Sequence, residues 1–532
     1  MPSSPGWPGA YLALDARAGA QGFPSAEANA DGRFSFLGEQ RSLGDPPDWE
    51  QSDADQLWRY HLGYFDWAWA FVAHPHRSWA RAAFARLWRS WADRTTFGRG
   101  DAWSPYVVSL RSWALCGLYR PLVHGGSDDE SFRHQIGLHA GFVRASLEFD
   151  VGGNHLVKNL KALVGLGVFL DDEDLLRLAR YHLQRQISVQ VLDDGGHFEL
   201  SPSYHCQVLG DLVDISDLLE LAQRPPIEGL APAIEAMRRW LGLVRMPDGD
   251  VPLFNDCGLV GEHRLKLLKP APAPRRRLVV LGPSGYVVMR PDERLHLVAD
   301  VGAPCPRRLP AHAHADCLSF ELAVDGRRVI VNSGTSTYQP GSRRHYERST
   351  RAHNTVELDG EDQTEMWGTF RAARRAGPVL EGVADDAEVV EVVASHDGYR
   401  RLPGRPGHRR TWRVGAASIE IIDDISGCGV HDVVSSIHLA AGTTVVPIAG
   451  GFRAGRLSAT ATEGATLRIR HPSAVGESKV SSGFGPTQPN TTLEVVARAR
   501  LPVRQTLRLV LEPLAEGEGP RPPRGPLGSG TT

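Results

Sequence analysis

The hydrophobic period of this chain changes once, near residue 270, and that change limits the available folds more than any other feature. Before it, apolar residues recur at helical spacing. Leu156, Leu160 and Leu163 form one such stripe, Val208, Leu212, Ile215 and Leu219 a second, and Ile234, Met237, Leu241 and Val244 a third. Segments 53–72 and 79–93 follow the same spacing, and ten of the 13 tryptophans lie before residue 114. Lys158 and Lys161 fall off the first stripe and are expected to turn away from the core. Beyond the Pro-rich, basic stretch 270–277, a linker by composition, the period becomes two. Leu318, Phe320, Leu322 and Val324 alternate with other residues, Asp325-Gly326 supplies a hairpin turn, and Val329 and Val331 resume the strand. A run of helices followed by a run of short strands predicts a multidomain α+β protein. The expected divisions are an N-terminal extension over 1–49 and a helical domain over 50–269, its hairpins in a layered or toroidal array. After the linker come a β-sandwich over 278–514 and a disordered tail over 515–532.

Bulk properties narrow the function classes. A chain of 532 residues is too long for one ordinary core. Its 59 basic and 62 acidic side chains leave a formal charge of -3, which gives no general attraction to nucleic acid or to a membrane surface. Six cysteines without CxxC spacing fit reduced thiols better than a zinc ribbon or disulfide framework. No apolar run approaches the roughly 20 residues that span a bilayer. Met1 to Ala20 lacks the basic and apolar regions of a signal peptide, so a cytoplasmic location is expected.

Four polar clusters stand apart from the core pattern. In Gly152-Gly153-Asn154-His155, Asn154 stands before a helix and suits an N-cap. The stretch DDGGHFELSPSYH (193–205) brings His197, Glu199, Tyr204 and His205 together. In AHAHADCLSFEL (311–322), His312, His314 and Asp316 alternate, which on a strand aims all three at one face. Three titratable groups there are poor core material and suit a metal or acid–base site. In SRRHYERSTRAHNT (342–355), Arg343, Arg344, Arg348 and Arg351 surround His345, Tyr346 and His353 and could clamp a carboxylate or sulfate with paired N–H donors.

Taken together, the stretches AWSPYVVSLRSW (102–113), GGNHLVKNLKALVGLG (152–167), DGGHFELSPSYHCQVLGDLVDI (194–215), LFNDC (253–257), HAHADCLSFEL (312–322) and RAHNTVELDG (351–360) resemble the heparinase II/III-like polysaccharide lyase family. The resemblance implies an incomplete α/α toroid followed by an antiparallel β-sandwich, and β-elimination on uronate-containing glycans. Such a reaction must neutralise the substrate carboxylate, remove the C5 proton and protonate the leaving oxygen. By resemblance, Asn154 and His155 meet the carboxylate, Tyr204 is the acid or acid/base, and His312 is the base or orients substrate. Glu199, His205, Arg343, Arg348 and either Tyr338 or Tyr346 would line the substrate. The family often binds zinc, and the equivalent positions are His314, Asn332 and His353. Asn is a weaker zinc ligand than Asp, so a weak or empty site is expected. The partner implied is an acidic oligosaccharide or polysaccharide. Alternatives are a biosynthetic tailoring enzyme on the same fold, a non-catalytic glycan-binding protein, and a non-haem iron oxygenase built on His312, His314 and Asp316. The last leaves Asn154, His155 and Tyr204 without a role.

Overall fold

The computed structural model describes residues 7–8, 25–462, 464–471 and 478–512. The expected tail and much of the N-terminal extension lie outside the described residues. Helices occupy the first half and antiparallel sheets the second, the fold class expected from the change of period. Within the stretch expected as an extension, a short helix Ala26–Ala30 leads into a hairpin of Arg33–Phe36 and Glu39–Ser42, and Phe34 is fully buried among Trp49 and Trp67. No helix among the described residues is long and apolar enough to cross a membrane.

Two compact units are present. The first holds most of the helices. Helix Pro105–Leu118 packs on Gly153–Leu170, which packs in turn on Glu173–Gln190. Gly165 has no side chain because Trp113 fills the space a Cβ would need, at 2.8 Å. Helix Gly153–Leu170 is buried all round rather than on one stripe. Lys158 and Lys161 do not turn away as expected. Both are buried, with Lys158 Nζ donating to Asp211 (2.7 Å) and Lys161 Nζ to Asp211 (2.9 Å) and Asp214 (2.5 Å). The stripe at i, i+4, i+7 marks the most apolar face of a central helix. The opposite face is covered by a partner carrying matching carboxylates.

The second unit contains Leu192–His205 and Arg238–Glu262 as well as everything from Pro270 onward. The β unit therefore takes two segments from inside the stretch predicted as one helical domain. They belong there because their polar groups bond to the sheets: Asp194 accepts the Ser284 N–H (2.8 Å), and Glu321 accepts the Leu253 N–H (3.1 Å). A five-stranded antiparallel meander runs through Leu278–Leu281, Tyr286–Met289, Leu295–Asp300, Phe320–Val324 and Arg327–Ile330. Eight-stranded and four-stranded antiparallel sheets follow, and Leu297, Phe320, Leu322, Val392, Trp412, Ile421, Leu493 and Leu509 share one core. The expected hairpin is present: Val324 pairs with Arg327, and Asp325 and Gly326 both take positive φ (48° and 80°). That is the backbone of a two-residue turn matched to strand twist. Both faces of Phe320–Val324 are buried, because Glu321 on the second face pairs with Arg328 (2.8 Å) and accepts the Asn332 N–H (2.9 Å).

Candidate active site

In the β unit, the side chains of chemical interest gather around one buried carboxylate, Asp256. Its Oδ2 lies 3.1 Å from His312 Nδ1 and its Oδ1 lies 2.9 Å from His314 Nε2. Thr335 Oγ1 donates to Oδ1 (3.2 Å), and the Arg344 guanidinium engages both oxygens, with Nη2 at 2.8 Å from Oδ2. This fork and the two histidines hold the Asp256 carboxyl well below the usual range against the opposing effect of burial. Asp256 is therefore an ionised acceptor surrounded by donors.

His312 and His314 do not lie on a strand. Residues 310–319 form turns and extended loop that precede Phe320–Val324, and Leu318 takes a left-handed φ of 62°. Alternation therefore does not put His312, His314 and Asp316 on one face; the loop divides them between two sites. The His312 ring stacks on Tyr204, with centroids 3.9 Å apart, and its Nε2 lies 3.6 Å from Glu199 Oε2. Tyr204 sits in the first turn of helix Pro202–Leu221, and its hydroxyl is 2.7 Å from that of Tyr338. Burial, reinforced by the negative charge of Asp256, pushes the Tyr204 phenol well above its ordinary value, and Tyr338 is raised for the same reasons. Both phenols keep their protons at neutral pH, so this pair is built to donate rather than to abstract.

The structure also separates the two tyrosines between which the sequence could not choose. Tyr338 joins Tyr204 under the Arg344 guanidinium, 4.9 Å above its ring, whereas the Tyr346 hydroxyl accepts the Ser478 N–H at 3.3 Å. The expected arginine clamp takes a different form. Arg348 is fully buried and donates to the carbonyls of Ala313 (3.0 Å) and Gly368 (2.9 Å). Arg343 pairs with Glu347 (2.8 Å) and reaches the Lys479 carbonyl (3.2 Å). These guanidiniums brace the loop, and of the four arginines in the cluster it is Arg344 that forks a carboxylate, that of Asp256. His205 is buried and its ring stacks on that of Trp240 (4.3 Å).

The second site on this loop is a metal-type cluster. His314, Asp316 and His353 each present one ligand atom, all within 4.8 Å of one another. His314 Nδ1, Asp316 Oδ1 and His353 Nε2 are buried without a hydrogen-bond partner, an expensive arrangement unless a cation completes it. Burial lowers His314 to about 4, so its imidazole is neutral and offers a lone pair. Asn332 stands behind this set. Its Oδ1 accepts the His353 Nδ1–H at 2.6 Å and so aims Nε2 at the cluster. Asp316, two residues after His314, supplies the carboxylate that Asn332 lacks, which corrects the expected triad.

The helical unit holds the remaining predicted residues. Asn154 is not an N-cap: Gly152 takes that position with φ 69°, while the buried Asn154 Oδ1 accepts from Gln207 Nε2 (3.4 Å). His155 Nδ1 lies 3.1 Å from Glu148 Oε1, and its ring lies tilted against that of Tyr106, centroids 4.3 Å apart. Gln207 also donates to the Tyr106 hydroxyl (3.2 Å). The sequence analysis missed Tyr106, Gln207 and Asp256. Asp256 had the clearest signal, a carboxylate embedded in LFNDC beside apolar residues, which is costly unless paired.

Helices followed by antiparallel sheets divide this chain into two parts, and the two match the two halves of one family. Residues 34–268 match the Heparinase II/III N-terminus family and residues 273–515 match Heparinase II/III-like, C-terminal. The chain belongs to the heparinase II/III-like family. It is 28% identical over 385 residues to FtsZ-localized protein C of Caulobacter vibrioides, covering 68% of this chain and 63% of that protein. It is 26% identical over 300 residues to the heparin-sulfate lyase of Bacteroides stercoris, covering 50% of this chain and 45% of that protein. This chain therefore spans about half to two thirds of the length of these relatives. The crystal structure of heparinase III superposes with a TM-score of 0.79 at 17% identity, covering 94% of this chain and 86% of that one.

Proposed function

We propose that this protein is a β-eliminating lyase acting on uronate-containing oligosaccharides or polysaccharides. The observation that carries the proposal is the stack of His312 on Tyr204, with the Tyr204 hydroxyl bonded to Tyr338 and the His312 Nδ1 bonded to Asp256. Elimination needs a base for the C5 proton and an acid for the leaving 4-oxygen. His312 can take the proton at Nε2, since Nδ1 is committed to Asp256. Tyr204, a phenol kept protonated by burial, donates to the leaving oxygen, and Tyr338 stands ready to replace that proton through the hydroxyl pair. Family resemblance assigns Asn154 and His155, both in the helical unit, to the substrate carboxylate, a role that an amide and an imidazole suit as hydrogen-bonding groups. Zinc is the proposed occupant of His314, Asp316 and His353, where its chemistry is to supply a fixed positive charge beside the histidine loop.

A panel of uronate-containing oligosaccharides tests this. Lyase action creates a C4–C5 double bond conjugated to the carboxylate, read by ultraviolet absorbance, with no water added to the product masses. Products heavier by one water would replace the lyase with a hydrolase. The similarity to FtsZ-localized protein C, a relative named for where it is found, favours a second possibility, a glycan-binding or tailoring protein of the same fold. Saturable binding of the same panel without any turnover would support that alternative.

A further inference from the structure

We propose that Asp256 is a positioning residue that sets the tautomers of two histidines at once, His312 in the stack with Tyr204 and His314 in the metal-type cluster. Both Asp256 oxygens are engaged by Arg344, so the group is a carboxylate with lone pairs only and no proton to offer. Any histidine nitrogen in contact with it must carry the hydrogen. His312 touches Oδ2 through Nδ1, and His314 touches Oδ1 through Nε2. The two rings, separated by a single residue, are thereby held with their hydrogens on opposite nitrogens. For His312 this leaves Nε2, 3.6 Å from Glu199 Oε2 and so beyond hydrogen-bond distance of that carboxylate, as the nitrogen that exchanges a proton beside the Tyr204 ring. For His314 it leaves Nδ1, buried without a hydrogen-bond partner, as the lone-pair atom to offer to the cluster with Asp316 and His353.

One buried carboxylate thus makes one histidine fit for proton transfer and its neighbour fit to ligate. Arg344 fixes the carboxylate in turn. It donates from Nε (3.3 Å) and Nη2 (3.1 Å) to the Thr369 carbonyl and lies 4.9 Å from the Tyr338 ring, so the same guanidinium that holds Asp256 also packs on the phenol pair. Thr335 adds a further donor to Oδ1. No neutral side chain of the same shape can replace Asp256, because an amide presents one oxygen and one NH2 where two acceptors are needed.

The role assigned to His312 rests on the lyase proposal; the tautomers do not, and they are measured without substrate. In the full-length chain labelled with 15N-histidine and dialysed against EDTA, ring nitrogens with and without hydrogen have well-separated shifts. His312→Gln and His314→Gln variants assign the signals. Hydrogen is expected on Nδ1 of His312 and on Nε2 of His314, and finding either nitrogen bare overturns the proposal. In Asp256→Asn the NH2 group must face one of the two rings, so at least one of those nitrogens should lose its hydrogen. If both keep it, Asp256 is not what sets them. Should that variant fail to fold, the wild-type measurement alone decides. Where His312 is the ring that switches, turnover should fall on the order of 10²–10⁴-fold, as when a catalytic histidine is held in the wrong tautomer. The expected tautomers in a protein that turns over no uronate would leave the positioning role standing and remove only the lyase.

Discussion

Replacing Tyr204 by Phe removes one hydroxyl and keeps the ring that stacks on His312 at 3.9 Å. The fold should survive, and turnover on a verified uronate substrate should drop roughly 10²–10⁴-fold, the usual loss for a general acid. Near-normal turnover in a folded variant would remove Tyr204 from the chemistry. The metal cluster gives a second comparison at this scale. Asp316→Asn deletes the anionic ligand atom, whereas Asn332→Ala deletes only the acceptor that orients His353. Elemental analysis after dialysis should find stoichiometric zinc in the parent and little in Asp316→Asn. Asn332→Ala should bind about 10–100-fold more weakly, the typical effect of losing an outer-shell partner. Equal loss in both variants would return Asn332 to the ligand set expected from sequence.

Among the elements, helix Gly153–Leu170 departs furthest from its sequence pattern. Its lysines look like a solvated face, yet they meet Asp211 and Asp214 on helix Pro202–Leu221 in a buried ion network, with Lys161 also 4.6 Å above the Trp113 ring. Removing Lys161 takes a buried counter-charge from both Asp211 and Asp214. Lys161→Ala is therefore expected to destabilise the fold by about 3–5 kcal/mol, far more than a surface lysine would. Urea titration of the variant measures this directly, and a shift under about 1 kcal/mol would mean that water reaches the site. The loop before Phe320–Val324 makes a similar point about strands. Alternation in HAHAD suggested an extended segment, but the segment at 311–319 runs through turns and a bend, with Leu318 left-handed just before the strand. It delivers His312 to Asp256 and Tyr204, and His314 and Asp316 to His353.

Over the whole molecule, buried neutral histidines tie stability to pH. His139, His296 and His438 are each lowered to about 3, chiefly by burial. His139 shows the cause at atomic scale: its Nε2 accepts from Arg111 Nε at 2.9 Å, and a proton placed there would face another donor. An unfolded histidine binds its proton near pH 6.5, the folded ones only near 3, so between those values the unfolded chain holds more protons. Stability should therefore be flat with respect to these groups above about pH 7 and fall below pH 6.5, by up to about 1.4 kcal/mol per pH unit for each histidine. Urea midpoints at pH 7.5, 6 and 5 check the slope, and a midpoint constant to pH 5 would show that water relieves the burial. Hydrophobic period and turn chemistry are local properties, so the helical half, the antiparallel half and the Asp325-Gly326 hairpin were all legible in the chain alone. Short polar motifs also marked Tyr204, His312, His314 and His353. Tertiary structure alone decided which groups meet. It brought Asp256 from LFNDC to two histidines 56 and 58 residues away. It paired Tyr204 with Tyr338 across 134 residues. It gave the metal-type cluster Asp316 in place of Asn332, and it drew Arg348 into the interior. Composition and period record how each residue relates to its sequence neighbours. The partner that makes a buried charge affordable is set by the path of the folded chain.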